Sequence, residues 1–148
     1  MATEVRTASV VWNGDLINGS GMITYVSSGV FSRLPISWGA RTGPHGGKTS
    51  PEELIAAAHA ACYAMAFSHT LAEAGHAPER VSVTAVCHFT PIEGGGFSVS
   101  KMEVDVHGRV PGVDAEAFQH LAEEGERGCP VSNALRGNVE IDVRGRLA

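Results

Sequence analysis

The run "SPEELIAAAHAACYAMAFSHTLAEAG", from Ser50 to Gly75, limits the possible folds most strongly, because it predicts one long helix with apolar residues on nearly every side. Ser50 suits the N-cap, Pro51 the first helical position, and Glu53 completes an S-x-x-E capping box. Gly75 ends the pattern. Such a helix needs cover on several sides, which predicts a central, buried position, with Leu54, Ala58, Cys62, Met65 and Leu71 near one face.

Alternating apolar residues predict strands on both sides of this helix. They fall in "TASVVWNG", twice in "SGMITYVSSGVFSRL" with a break at Ser28-Gly29, and in "RVSVTAVCHFTPI", "FSVSKMEVDVHGRV" and "NVEIDVRGRL". "GARTGPHGGKTS" predicts a loop, a parity break near Lys101 predicts a bulge, and "PGVDAEAFQHLAEEGERG" and "CPVSNALRG" predict two more helices. This order is typical of the α+β class, and a chain of 148 residues without a linker predicts one domain, 1–148.

Composition argues against several classes of partner. The net charge is −5 with no run of Lys and Arg, so nucleic acid is not expected. The apolar run from Leu54 to Leu71 holds two histidines, a serine and a threonine, which argues against a membrane span. Three cysteines make an odd count for a disulfide framework, and no secretory pattern begins the chain, so a cytoplasmic protein with reduced thiols is expected.

The three cysteines occupy different predicted settings. Cys62 lies in the middle of the apolar helix, where burial raises the pKa of a thiol, so reactivity there requires a positive partner. Cys129 lies between Gly128 and Pro130, which predicts an N-cap position that favours a thiolate. Cys87 alternates with apolar residues on a strand and is interpreted as core. Cys62 and Cys129 therefore suit a peroxidatic and a resolving cysteine, although inert buried thiols fit the same pattern.

Other chemistries stay open from the residues alone. His59 precedes Cys62 by one turn, so the two residues form a possible base and nucleophile of an acyl-transfer enzyme, although a neutral helix histidine is the favoured interpretation. No C-x-x-C spacing indicates a zinc site, and "GPHGG" lacks the spacing of a phosphate-binding loop. A thiol peroxidase, a non-enzymatic redox-sensing or ligand-binding module, and a purely structural protein are the remaining hypotheses.

Two stretches resemble the two cysteine motifs of the OsmC/Ohr family of thiol-dependent hydroperoxide reductases. They are "TSPEELIAAAHAACYAMAFSHTLAEAG" and "GCPVSNALRGNVEIDV". The resemblance extends over most of the chain and includes "WNGD" and "VPGVDAEAF". "PEELIAAAHAACY" is closer to the OsmC branch, whereas "SNALRGN" is similar to the Ohr branch.

The resemblance implies specific roles and a specific assembly. Cys62 matches the peroxidatic cysteine and Cys129 the resolving cysteine, while Arg41 of "GART" and Glu52 of "PEE" match the residues that contact the thiolate, with Arg33 as the alternative arginine. The family fold is an intertwined homodimer with long helices between two sheets and active sites at the interface. Glu52 and Cys62 are ten residues apart, about 15 Å along a helix, which also favours a second chain at the site.

The resemblance also implies an activity. The family reduces organic hydroperoxides better than hydrogen peroxide, in oxidative or osmotic stress defence. It requires no metal or haem cofactor and is regenerated by an external dithiol, for which lipoyl proteins serve some members. Tyr63, Met65 and Phe67 are the apolar residues expected to line the substrate pocket.

Overall fold

The computed structural model describes all residues, 1–148, and the chain divides into two compact units, Met1–Pro51 and Glu52–Ala148. Each unit contains a three-stranded sheet. The prediction of one domain over 1–148 stays a prediction.

The first unit is an antiparallel sheet in the order β1-β2-β3, followed by one short helix. Its elements are β1 (Ala8–Asn13), β2 (Ser20–Val26), β3 (Leu34–Ile36) and α1 (Trp38–Thr42). The second strand expected in "SGMITYVSSGVFSRL" is shorter and begins later, because the chain turns at Gly29 (φ 69°) and at Arg33 (φ 57°). The loop expected over "GARTG" was wrong in part, since the Ser37 side chain accepts a hydrogen bond from Ala40 N–H and begins α1 there.

The second unit combines a sheet of order β4-β5-β6 with three helices. The long helix α2 begins at the end of the first unit. Strands β4 and β5 form an antiparallel hairpin, and β6 pairs with β5 in parallel. The elements are α2 (Pro51–Glu73), β4 (Arg80–Pro91), β5 (Phe97–Arg109), α3 (Ala115–Arg127), α4 (Pro130–Leu135) and β6 (Glu140–Leu147).

The β4–β5 hairpin contains the predicted irregularity. His88 pairs with Lys101, but the next residue, Phe89, pairs with Val99, so Ser100 is an extra residue on β5. The predicted break in parity near Lys101 is therefore confirmed as a β-bulge.

The core of the second unit lies between α2, α3 and the sheet. From α2 it receives Tyr63, Phe67 and Leu71, all fully buried and spaced four residues apart along one stripe. They pack in one cluster with side chains of β5 and α3 that include Val104, Val106, Phe118 and Ala122.

The other sides of α2 are open in a single chain. Met65 is 71% exposed and Ala58 is also exposed, so the predicted burial of the face through those two residues stays a prediction that requires a second chain. Apolar residues all around the helix left its buried side undetermined from sequence. By length and composition alone α2 is apolar enough to cross a membrane, although core helices of this kind share that property.

Candidate active site

The sulfur atoms of Cys62 and Cys129 meet in the second unit. Cys62 is partly exposed in the middle of α2, and Cys129 is fully buried. The Cys62 sulfur has two hydrogen-bond partners, the Cys129 thiol and the backbone N–H of Val131. Both cysteines are reduced. The structure thus brings together the two cysteines that the sequence singled out.

The segment around Cys129 explains this contact. Gly128 is the C-cap of α3, Cys129 is the N-cap of α4 with extended backbone angles, and Pro130 occupies the first helical position. This confirms the predicted N-cap. Because proline has no N–H, Val131 provides the first backbone donor of α4, and that donor bonds to the Cys62 sulfur.

The surroundings of Cys62 favour the protonated thiol. Burial raises its pKa, the Val131 N–H lowers it, and the Cys129 thiol raises it again. The net shift is upward. A thiolate at neutral pH therefore needs a positive charge beyond the hydrogen bond from Val131.

A buried histidine lies one turn before Cys62. His59 Nε2 is 2.7 Å from Ser132 Oγ on α4, and both side chains are fully buried. Burial lowers the pKa of His59, with a smaller opposing effect from the Glu126 carboxylate, so the imidazole is neutral at pH 7. His59 hydrogen-bonds to Ser132 and not to Cys62, which removes the contact that a Cys–His acyl-transfer pair requires.

An ion pair joins α3 to the end of α4. Arg136 Nη1 donates to Glu126 Oε2 at 3.1 Å, and Nη2 lies 2.9 Å from Oε1, although its N–H does not point at that oxygen. Arg136 Nη2 also donates to Asn133 Oδ1 at 3.0 Å. Sequence reasoning missed Ser132, Glu126 and Arg136, and only their proximity to the Cys129 motif gave a signal for Ser132 and Arg136.

Glu52 lies in the first turn of α2 and is only 7% exposed. The third cysteine, Cys87 on β4, has a pKa raised by burial and, to a smaller extent, by the Glu52 carboxylate. Cys87 is half-buried, somewhat more open than the core position expected from sequence. The structure therefore places the Glu52 charge near Cys87, and its role toward Cys62 stays a prediction.

Arg41 lies on α1 in the first unit, with its guanidinium carbon 5.5 Å from the centre of a Trp38 ring. It borders a cavity of about 290 Å³ that is largely apolar and is lined by Trp12, Leu16, Ile36, Ser37, Trp38, Arg41 and Pro51. The pairing of Arg41 with Cys62 stays a prediction, as does the alternative, Arg33. Tyr63 and Phe67 were expected to line a pocket, but both are fully buried in the core, so that expectation was wrong.

Known proteins resemble this chain over most of its length. A family model described as OsmC-like protein matches residues 44–144. Peroxiredoxin OsmC of Escherichia coli K12 is 37% identical over 133 residues, which cover 90% of this chain and 91% of that protein. An organic hydroperoxide resistance protein of Xanthomonas axonopodis pv. citri is 34% identical over 102 residues, with 68% and 69% covered.

Solved structures share the fold. An organic hydroperoxide resistance protein of Elizabethkingia anophelis matches with a TM-score of 0.73 and 29% identity, over 100% of both chains. OhrB of Bacillus subtilis matches with a TM-score of 0.72 and 28% identity, over 95% of this chain and 98% of that one. These similarities confirm the predicted α+β class and the family to which the two cysteine motifs pointed.

Proposed function

The chain belongs to the OsmC family, and on that premise we propose that it is a cysteine-based peroxidase that reduces organic hydroperoxides to alcohols, and hydrogen peroxide less well. The observation that carries the proposal is the contact between Cys62 and Cys129. A partly exposed sulfur beside a fully buried one suits a thiol that meets the substrate and a second thiol that resolves the product.

In the first step the Cys62 thiolate attacks the terminal oxygen of the hydroperoxide. An S–O bond forms and the O–O bond breaks, so the sulfur is oxidised by two electrons to a sulfenic acid. The other oxygen leaves as an alkoxide, takes up a proton and departs as the alcohol. Partial exposure of Cys62 gives the substrate access to the sulfur.

In the second step Cys129 resolves the sulfenic acid. Its sulfur attacks the Cys62 sulfur, an S–S bond forms and the S–O bond breaks. The hydroxyl group takes the proton of the Cys129 thiol and leaves as water. An external dithiol then reduces the disulfide, and a lipoyl protein is one chemical class that supplies such a dithiol.

Arg41 is the proposed source of the positive charge that Cys62 needs. A guanidinium beside the sulfur offsets the effect of burial, which otherwise keeps the thiol protonated. Glu52 is proposed to hold that guanidinium in place, because arginine and a carboxylate pair in a planar, two-pronged geometry. The low exposure of Glu52 suits a fixed carboxylate.

A homodimer is the proposed assembly. The open side of α2 presents small and apolar side chains, among them Ala58, Ala61 and the 71%-exposed Met65. A second copy of the chain would bury this surface, which a single chain leaves in water. A cytoplasmic location and a role in oxidative or osmotic stress defence are further parts of the proposal.

The test is a turnover assay with cumene hydroperoxide or hydrogen peroxide and an excess of dithiothreitol or dihydrolipoamide. We expect repeated turnover by the unmodified protein and none by Cys62→Ser. Without a dithiol, Cys129→Ser should consume about one equivalent of hydroperoxide and stop at the sulfenic acid. Cys87→Ser is the matched control and should keep nearly full activity.

Two results would count against the peroxidase. Full turnover by Cys62→Ser would remove Cys62 from the reaction. Oxidation of the unmodified protein by one equivalent, with no turnover by any dithiol, would favour the non-enzymatic redox-sensing module.

A further inference from the structure

We infer that His59 is a positioning residue that acts through Ser132 to hold the first turn of α4 against Cys62. The inference rests on the proposed function, because it assigns His59 to the cycle of Cys62 and Cys129. It differs from acid–base catalysis, since His59 hydrogen-bonds to Ser132 and to neither of the two reacting sulfur atoms.

The contact between His59 and Ser132 is buried and specific. Nε2 and Oγ are 2.7 Å apart, and neither side chain is exposed to water. A buried polar group that loses its partner has no water to replace it, so the two side chains strongly favour staying together. The other ring nitrogen of His59, Nδ1, is buried without a hydrogen-bond partner, so the hold on α4 depends on Nε2 alone.

Ser132 connects the contact with His59 to the positions of the reacting sulfur atoms. It follows Val131, whose N–H bonds to the Cys62 sulfur, and lies three residues after Cys129. Cys129 is the N-cap of a helix of only six residues, and Val131 and Ser132 lie in its first turn. A shift of Ser132 away from α2 would therefore move both the N–H donor and the resolving thiol away from Cys62.

The far end of α4 has a separate attachment. Arg136, its C-cap, pairs with Glu126 of α3. This ion pair fixes α4 to α3. The Glu126 carboxylate is close enough to α2 to affect the pKa of His59, but His59 forms no hydrogen bond with it. Besides Cys62 itself, His59 is thus a side chain of α2 that hydrogen-bonds the α4 segment.

Loss of the His59–Ser132 contact should affect two properties of Cys62. Without the Val131 N–H, the pKa of the Cys62 thiol should rise, because that hydrogen bond favours the thiolate. The sulfenic acid should also survive longer before Cys129 closes the disulfide. During that time a second hydroperoxide can transfer one oxygen to the sulfenic acid, which gives a sulfinic acid and a second alcohol.

Substitutions at His59 distinguish positioning from general packing. In His59→Gln the side-chain amide reaches close to the place of Nε2, whereas in His59→Asn it reaches only the place of Nδ1. Ser132→Ala removes the partner oxygen and adds no bulk. We expect Gln to preserve the behaviour of the unmodified protein, and Asn and Ser132→Ala to lose it together.

The first measurement needs no peroxide. In a Cys87→Ser, Cys129→Ser background, the rate of Cys62 alkylation against pH gives the thiol pKa. We expect a higher pKa with His59→Asn and with Ser132→Ala than with His59→Gln. Unfolding midpoints in urea, measured in parallel, establish that each variant is folded at the conditions used. The same Cys62 pKa in all folded variants would overturn the inference, whatever the fate of the proposed function.

The second measurement follows disulfide closure after one equivalent of cumene hydroperoxide, with Cys129 present. We expect closure about tenfold slower in His59→Asn and Ser132→Ala and near-normal closure in His59→Gln. When a second equivalent of cumene hydroperoxide is added, the two slow variants should also form more sulfinic acid. Equal closure rates in all variants would overturn the inference alone. If the unmodified protein never forms the Cys62–Cys129 disulfide, the proposed function fails and this closure step fails with it.

Discussion

The backbone N–H of Val131 donates a hydrogen bond to the sulfur of Cys62, although the two residues belong to different helices. Val131 follows Cys129 by two residues, so the segment that carries the second thiol is in direct contact with the first. The hydrogen bond stabilises a thiolate, but burial outweighs it and the pKa of Cys62 is raised. The site therefore contains a hydrogen-bond donor for the Cys62 thiolate, but it still requires a positive charge to lower the pKa of the thiol.

Arg41→Ala should slow the attack of Cys62 on hydroperoxide. Removal of a nearby positive charge raises the thiol pKa, and each unit of pKa reduces the thiolate fraction at neutral pH about tenfold. The measurement is the second-order rate constant with cumene hydroperoxide as a function of pH, in which the loss should shrink at high pH. Arg33→Ala is the matched control and should behave like the unmodified protein. A loss in Arg33→Ala with none in Arg41→Ala would move the role to Arg33.

Glu52→Gln should lower the pKa of Cys87. The Glu52 carboxylate is the second cause, after burial, of the raised pKa of that thiol, and its removal makes the thiolate less unfavourable. In a protein with Cys62→Ser and Cys129→Ser, the alkylation rate of Cys87 should rise at a given pH. Glu53→Gln, which removes the adjacent carboxylate on an exposed position of α2, is the control. An unchanged alkylation profile would show that the Glu52 charge does not reach Cys87.

Gly108→Ala should destabilise the second unit. A Cβ atom at Gly108 would lie 2.6 Å from two ring carbons of Phe118, which packs from α3 onto the sheet. Overpacking of this kind costs about 1–3 kcal/mol, measurable by urea unfolding. The double variant Gly108→Ala, Phe118→Leu should lose less unfolding free energy than the sum of the losses in the two single variants. Full stability of Gly108→Ala would mean that the ring moves aside at no cost.

His59 should make stability depend on pH in mildly acidic solution. Burial lowers its pKa below the usual 6.5, so below pH 6.5 the unfolded chain binds a proton that the folded protein does not. The stability contributed by neutral His59 is fully present above pH 6.5. It is lost as the pH falls from 6.5 to the lower pKa that His59 has in the folded protein. Urea midpoints should therefore fall between pH 7.5 and 5.5, and less so in His59→Gln.

Two carboxyl groups change the stability only in a lower pH range. They therefore do not affect the comparison of urea midpoints between His59→Gln and the unmodified protein. The pKa of Glu103 is lowered mainly by a hydrogen bond with His88, and that of Asp15 by hydrogen bonds from Asn18. Both carboxylates contribute stability above their usual pKa values of 4.5 and 3.8, which is lost only below them. An equal pH dependence in His59→Gln and in the unmodified protein would contradict the assignment to His59.

Local chemistry made parts of this structure predictable from sequence. Gly128 and Pro130 end one helix and begin the next, which fixed Cys129 as an N-cap. The break in alternation near Lys101 marked the bulge, because side chains in a strand point to alternate faces. Pro51 marked the start of α2 for a similar reason, since proline suits the first turn of a helix.

Long-range contacts were not predictable in the same way. His59 and Ser132 are 73 residues apart, and neither carries a signal that selects the other. The buried side of α2 was also undetermined, because apolar residues surround the helix and Met65 looked as suitable for the core as Phe67. Only packing against α3 and β5 separates those two positions.

The most direct measurement is peptide mapping by mass spectrometry after the reduced protein reacts with one equivalent of cumene hydroperoxide. We expect one disulfide, between Cys62 and Cys129, with Cys87 still reduced, and full return to three thiols on addition of a dithiol. A disulfide that involves Cys87, or a sulfenic acid on Cys62 that persists while Cys129 stays reduced, would rule out the proposed reaction of Cys62 with Cys129.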